Sequence, residues 1–345
     1  MTTNEASMYT KRNTTPNKKI VWLKRILTLF FFILVPVLLF TLIKQIEWHE
    51  VKEALISYKV STLLLCIAIA LSSYCIFASY DLIGKKYTGH NIPTRQIIPL
   101  GFVCYAFNLN LSSWVGGIAL RYRLYTRLGL NVPTITKILS MNLITNWLGY
   151  LILAGIIFLF GLINLPDNWK IGTTALQVIG AVMIAVAIFY LVACKYAKRR
   201  SVNFFHHKLS LPESSISFLQ AGLAILNWSL MGLIIFTLLP QGKVGYPTVL
   251  GILLIGAIAG VITHIPAGLG VLETIFITLL QHQLSKGTIL AALIGYRVIY
   301  FLIPLGIAVI IYLILESRAK KMRATNTKQE MKKAPLTKSD GASLL

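Results

Sequence analysis

Residues 263–280 read THIPAGLGVLETIFITLL, an apolar run broken by Pro266, Gly268 and Gly270 that carries one carboxylate, Glu273. A charge at membrane depth costs about 2.5–3.5 kcal/mol on insertion scales, so it is expected to face a partner or a polar cavity. The candidate partner is Arg297, inside ALIGYRVIYFLIP at 292–304 and ahead of Pro304, where the helix is expected to kink.

The surrounding composition fixes the class. Of 345 residues, 56% are hydrophobic and 13% charged, whereas soluble domains carry charge on about a quarter of their residues. The chain therefore reads as an integral membrane protein. Apolar runs long enough to span a bilayer are expected near 26–43, 60–83, 138–163, 172–194, 216–239, 247–263 and 288–315. The first follows about 25 polar residues and ends at Lys44 without a small-residue cleavage site, so it reads as a retained anchor, not a secretory signal. The last reads as one long kinked helix or as two half-spans.

Two regions resist a simple helix count. Residues 97–130 hold a half-length apolar run that breaks at Ser112, Ser113, Gly116 and Gly117 and then turns basic; 265–283 is the second. Irregular backbone at membrane depth is tolerated only where protein shields it or a wet cavity adjoins it, so both read as broken or re-entrant helices. If 97–130 dips in and returns to one side, that side holds 26 of the 33 Lys and Arg. The positive-inside rule then makes both termini cytoplasmic. The expected fold class is all-α, a polytopic membrane helix bundle of about seven to nine spans. A basic N-terminal tail (1–25) precedes a single transmembrane domain (26–315), and a disordered basic tail (316–345) follows. Residues 26–194 and 216–315 each read as two spans, a broken segment and further helix, a weak internal repeat of the kind transporters use.

The net charge of +22 lies mainly in tails and cytoplasmic loops. No soluble domain presents it to nucleic acid, so it reads as a topology signal and an attraction to anionic lipid, about 1 kcal/mol per basic residue near the surface. Cys66, Cys75, Cys104 and Cys194 lie in apolar runs without metal-ligand spacing and read as small buried hydrophobes. No cofactor or metal is expected. Asn142, Asn146 and Asn227 read as hydrogen-bonding glue between helices, Gly256 and Gly260 as a close-packing step, and His264 as a cap or packing group. Asp81 reads as a carboxylate near a span end with no evident partner.

Glu273 and Arg297 admit two readings: a structural ion pair, or the lining of a polar pocket that holds a lipid head group or couples a proton to its movement. Arg121 and Arg123, just beyond Gly117, supply a cationic counterpart.

PAGLGVLE at 266–273 resembles the Pro-Gly-Gly-x-Gly-x-x-Glu signature of the lysylphosphatidylglycerol synthase transmembrane domain family, with Ala267 in place of the commoner Gly. FNLNLSSWVGGIALRYRLYTRLGL (107–130), TNWLGYLILAGIIF (145–158) and IAGVITHIPAGLGVLE (258–273) extend the resemblance to YbhN-type inner membrane proteins, over nearly all the chain outside the tails. The resemblance implies a bacterial inner membrane domain that, in fused members, moves aminoacylated phospholipid between leaflets while a separate soluble domain performs the aminoacyl transfer. About 30 residues follow the last span, too few for such a domain, so synthase activity is not expected. Carried over by residue, the resemblance points to Pro266, Gly268, Gly270 and Glu273, with Gly117 and Arg121 in the first break.

The expected function is lipid-handling and flippase-like, without catalysis, on anionic or modified phospholipid. Arg121 and Arg123 attract the phosphate, and Glu273 with Arg297 defines the inner end of a slot. The alternatives are a non-catalytic membrane partner of a lipid-synthesis or envelope complex, and a membrane-embedded lipid-modifying enzyme.

Overall fold

The computed structural model describes residues 48–110, 117–163, 172–196, 201–204, 207–263, 265 and 268–317. The expected first span, 26–43, lies outside these residues, as do 112–116, His264 and Pro266. Helices α1 (Trp48–Ile56), α2 (Val60–Thr88) and α3 (Thr94–Asn110) lead to a π turn at 117–119 and α4 (Leu120–Arg127). Helices α5 (Val132–Leu159) and α6 (Thr173–Tyr196) precede an antiparallel hairpin of β1 (Ser201–Phe204) and β2 (His207–Ser210). Then come α7 (Ser214–Leu238), α8 (Tyr246–Thr263), α9 (Val271–Leu280) and α10 (Lys286–Arg297). A π turn at Val298–Leu302 carries α10 into helix 303–317.

The fold is a membrane helix bundle. Among the described residues, six helices are long and apolar enough to cross a membrane: α2, α5, α6, α7, α8 and the continuous Lys286–Ser317. The short apolar α9 does not reach that length. The final run is thus one interrupted helix, not two half-spans. The β hairpin, in what reads from sequence as a plain basic loop, is the one departure from an all-helical chain among the described residues.

Local sequence explains the ends. At 29 residues and 1.5 Å per residue, α2 is about 43 Å long. It continues past the expected limit at 83 and stops at Gly89, whose φ of 69° is cheap only for glycine and whose N–H reaches Lys85 O. Asn131 caps α5 by accepting from Thr134 N at 3.0 Å. Ser285 caps α10 in the same way, at 3.3 Å from Thr288 N.

The π turn has a covalent cause. Pro304 has no N–H to offer the carbonyl of Tyr300, four residues back. The Tyr74 hydroxyl donates to that carbonyl instead, at 2.9 Å, and Asn110 Nδ2 donates to the next one, on Phe301, at 3.2 Å. Ile303 N–H turns to Val298 O, the wider i→i−5 step.

Helix α2 packs on α3, α5 and α7; α6 lies on α5 and α7, α8 on α7 and α9, and α10 on α1. At the α5–α7 crossing a Cβ on Gly149 would lie 2.4 Å from the Ala224 Cβ, so only glycine admits that approach. Val178, Val182, Val186 and Phe189 of α6 are exposed, an apolar face of the kind bilayer lipid covers.

Candidate functional site

At the second break the chain turns through Gly268 (φ 58°) and Gly270 (φ 79°). Side chains rarely adopt that region, which accounts for glycine at both positions. The turn delivers Glu273 to the first turn of α9, where Oε2 accepts the Gly270 N–H at 2.9 Å and the carboxylate lies at the positive end of the helix dipole. Its other oxygen, Oε1, accepts from Arg297 Nε at 2.5 Å. Arg297 Nη2 also donates to Gly268 O at 3.2 Å, and the guanidinium lies 5.6 Å from the Phe301 ring centroid. The side chains are 12% (Glu273) and 15% (Arg297) exposed. Gly268, Gly270, Glu273 and Arg297 thus form one charged centre; Pro266 is outside the described residues. Gly256 and Gly260 of α8 back it, since a Cβ on Gly256 would meet Leu272 Cδ1 at 2.6 Å and one on Gly260 would lie 3.6 Å from the Gly268 Cα.

The first break is built differently. A Cβ on Gly117 would lie 2.5 Å from Asn108 Oδ1, so glycine lets the chain close back on the end of α3. Arg121 then points inward, not outward: Nη2 donates to Asp81 Oδ2 at 3.0 Å, with side chains 6% and 0% exposed. Asn142 Nδ2 donates to Asp81 Oδ1 at 2.6 Å. Asp81, read from sequence as lacking a partner, therefore has two. The reason is the length of α2, which places residue 81 well inside the helix. Gly101 completes the centre, because a Cβ there would lie 2.8 Å from Asp81 Oδ2. Arg121 Nε, the Tyr125 hydroxyl and Asn142 Oδ1 are buried and make no hydrogen bond among the described residues.

Arg123 lies on the outer side of α4. Glu316, near the end of helix 303–317, pairs with it at 3.7 Å and accepts a hydrogen bond from Arg127. Neither Arg127 nor Glu316 stands out in sequence as a site residue, since each is one charge in a basic stretch. In the α2–α3 connection, burial and then the Lys85 ammonium lower the proton affinity of His90 below its usual value.

Between the breaks runs a buried polar belt. The Ser73 hydroxyl donates to Asn227 Oδ1 at 2.7 Å and lies 2.8 Å from the Tyr300 hydroxyl, which is 2.9 Å from that of Tyr105. Phe77 stacks on Tyr105 with centroids 3.4 Å apart. Asn146 enters through its carbonyl, which accepts from Trp228 Nε1 at 3.2 Å. The tyrosines go unflagged in sequence because their rings read as apolar filling; the signal that could have found Tyr300 is Pro304 four residues on. Cys66, Cys104 and Cys194 are buried, whereas Cys75 is exposed, contrary to the sequence expectation. Among the described residues no group of three or more His, Cys, Asp or Glu could hold a metal ion.

A family model described as the lysylphosphatidylglycerol synthase TM region matches residues 25–308. Inner membrane protein YbhN of Escherichia coli (strain K12) is 49% identical over 304 residues, 88% of this chain and 95% of that protein. An uncharacterised protein of Synechocystis sp. is 32% identical over 70% of this chain and 75% of its own length. A phosphatidylglycerol lysyltransferase of Staphylococcus xylosus is 23% identical over 82% of this chain, but that match takes in 33% of the lysyltransferase.

Proposed function

We propose that this chain, which belongs to the lysylphosphatidylglycerol synthase transmembrane family, is a lipid-handling, flippase-like protein that binds or translocates anionic or modified phospholipid. It is a multi-pass membrane protein. The observation that carries the reading is the Glu273–Arg297 centre at the α9 break: two charges within apolar helices, partly open, with Arg297 also bound to the Gly268 carbonyl. A guanidinium is suited to the phosphate of a head group, since its N–H fork matches two phosphate oxygens. Glu273 holds that fork when no lipid is present and balances its charge. The distant relatives named as lysyltransferases make phosphatidylglycerol and its lysylated form the first lipids to test.

In this reading the π turn that begins at Gly117 opens the slot on the cytoplasmic side, Arg123 attracts phosphate, and Gly268 and Gly270 shape the inner end. Arg121 contributes by holding α4 in place, its charge being met by Asp81. The asymmetry of basic residues supports a cytoplasmic position for both termini. Residues 26–315 act as one transmembrane domain whose halves, 26–194 and 216–315, each contribute a broken segment. The chain performs no lipid chemistry of its own in this account.

Native mass spectrometry of the purified protein with its retained lipids tests the proposal. An anionic head group enriched over the bulk membrane, and lost in Glu273→Gln and Arg297→Met, is the expected result. A wild-type protein that retains lipid in bulk proportions overturns it.

A further inference from the structure

We infer that Arg123 and Arg127 form an anion site in which Glu316 is a built-in competitor, and that the phosphate of an anionic lipid head group takes its place. The inference rests on the lipid-handling reading above.

The two arginines are four residues apart on α4 and so share one helical face. Among the described residues the carboxylate that pairs with both is Glu316, so the cluster of two guanidinium groups and one carboxylate is cationic. A phosphate group offers more oxygens and at least the same charge, and guanidinium forks bind it in pairs of hydrogen bonds. Exposure favours exchange at Arg123, whose side chain is 53% exposed and whose ion pair is weak because it reaches solvent; Arg127 and Glu316, at 23% and 18%, are more enclosed.

The site survives the departure of Glu316, because α4 is held at other points. Arg121 is tied to Asp81 within the bundle at 3.0 Å. The Tyr122 hydroxyl meets Thr136 Oγ1 of α5 at 2.6 Å. What exchange would release is the tie between α4 and the end of helix 303–317, the continuation of α10 beyond Arg297 and the π turn, while the Phe107–Tyr312 ring contact still holds that helix to α3.

The full-length chain, purified in a zwitterionic detergent, is titrated with short-chain phosphatidylglycerol, with short-chain phosphatidylcholine and with inorganic phosphate. Glu316→Gln is expected to tighten phosphatidylglycerol binding about three- to tenfold by freeing the occupied site, and to leave phosphatidylcholine unchanged. Adding Arg123→Gln and Arg127→Gln to that variant abolishes the gain. Arg123→Gln alone alters an exposed side chain, keeps the fold and weakens binding, so the test does not depend on one variant.

Folded Glu316→Gln protein with unchanged or weaker phosphatidylglycerol affinity overturns the inference. An equal gain with inorganic phosphate also overturns it, since the site would then be one for soluble anions. If the wild type binds phosphatidylglycerol and Glu316→Gln changes nothing, the competitor role falls and the lipid-handling reading stands. If neither protein binds phosphatidylglycerol, both fall.

Discussion

The pairs Asp81–Arg121 and Glu273–Arg297 differ in almost everything except charge. Asp81–Arg121 is closed, with side chains 0% and 6% exposed, and both groups that hydrogen-bond the carboxylate among the described residues are side chains from other helices. Glu273–Arg297 is partly open, at 12% and 15%, and leans on main chain through the Gly270 N–H and the Gly268 carbonyl, and on the Phe301 ring. A sealed pair has no route for a ligand, and removing one partner strands a charge. A pair that reaches solvent and holds backbone contacts can exchange its counter-ion for another anion. The difference assigns Asp81–Arg121 to holding α2, α4 and α5 together, and makes Glu273–Arg297 the candidate working centre.

The largest effect should come from the closed pair. Asp81→Asn leaves Arg121 buried without its counter-charge, at a cost of about 3–5 kcal/mol. Thermal unfolding of the purified protein should show a clear fall in midpoint; a wild-type midpoint would break the contrast. Glu273→Gln should cost less, about 1–2 kcal/mol, because the amide oxygen still accepts from Gly270 N–H and Arg297 keeps its bond to the Gly268 carbonyl. A destabilisation equal to that of Asp81→Asn would make the two pairs alike and remove the structural ground for separating them.

The legible part of this molecule is the part where charge violates its surroundings. Glu273 and Arg297 stand out because each is a single charge in a long apolar run, and the glycines at 268 and 270 mark the break between helices. The same rule could have reached Asp81, which lies inside FASYDLIG (77–84). Ending the span at 83 instead of 88 places that residue at a boundary, where a carboxylate needs no partner, and Lys85 and Lys86 reinforce the impression. Arg121 misleads in the opposite way: beside Arg123 and Arg127 it looks like one more surface cation, whereas the fold sets it inward against Asp81. The π turn was half legible, since Pro304 announces a disturbed helix but not that Tyr74 and Asn110 would satisfy the freed carbonyls. The β hairpin has no signal in the stretch SVNFFHHKLS, where two short strands of mixed character adjoin basic residues.

The central claim is that Glu273 and Arg297 act on lipid and do more than pin two helices together. Its most direct test is the rate at which labelled phosphatidylglycerol changes leaflet in proteoliposomes, normalised to folded protein, for wild type and for Glu273→Gln with Arg297→Met combined. The double substitution removes both charges together, so no buried charge is stranded and the fold should persist. The account predicts a fall of about tenfold or more, equivalent to about 1.4 kcal/mol of lost barrier stabilisation. An unchanged rate in stably folded double variant would contradict it and leave the pair a structural tie.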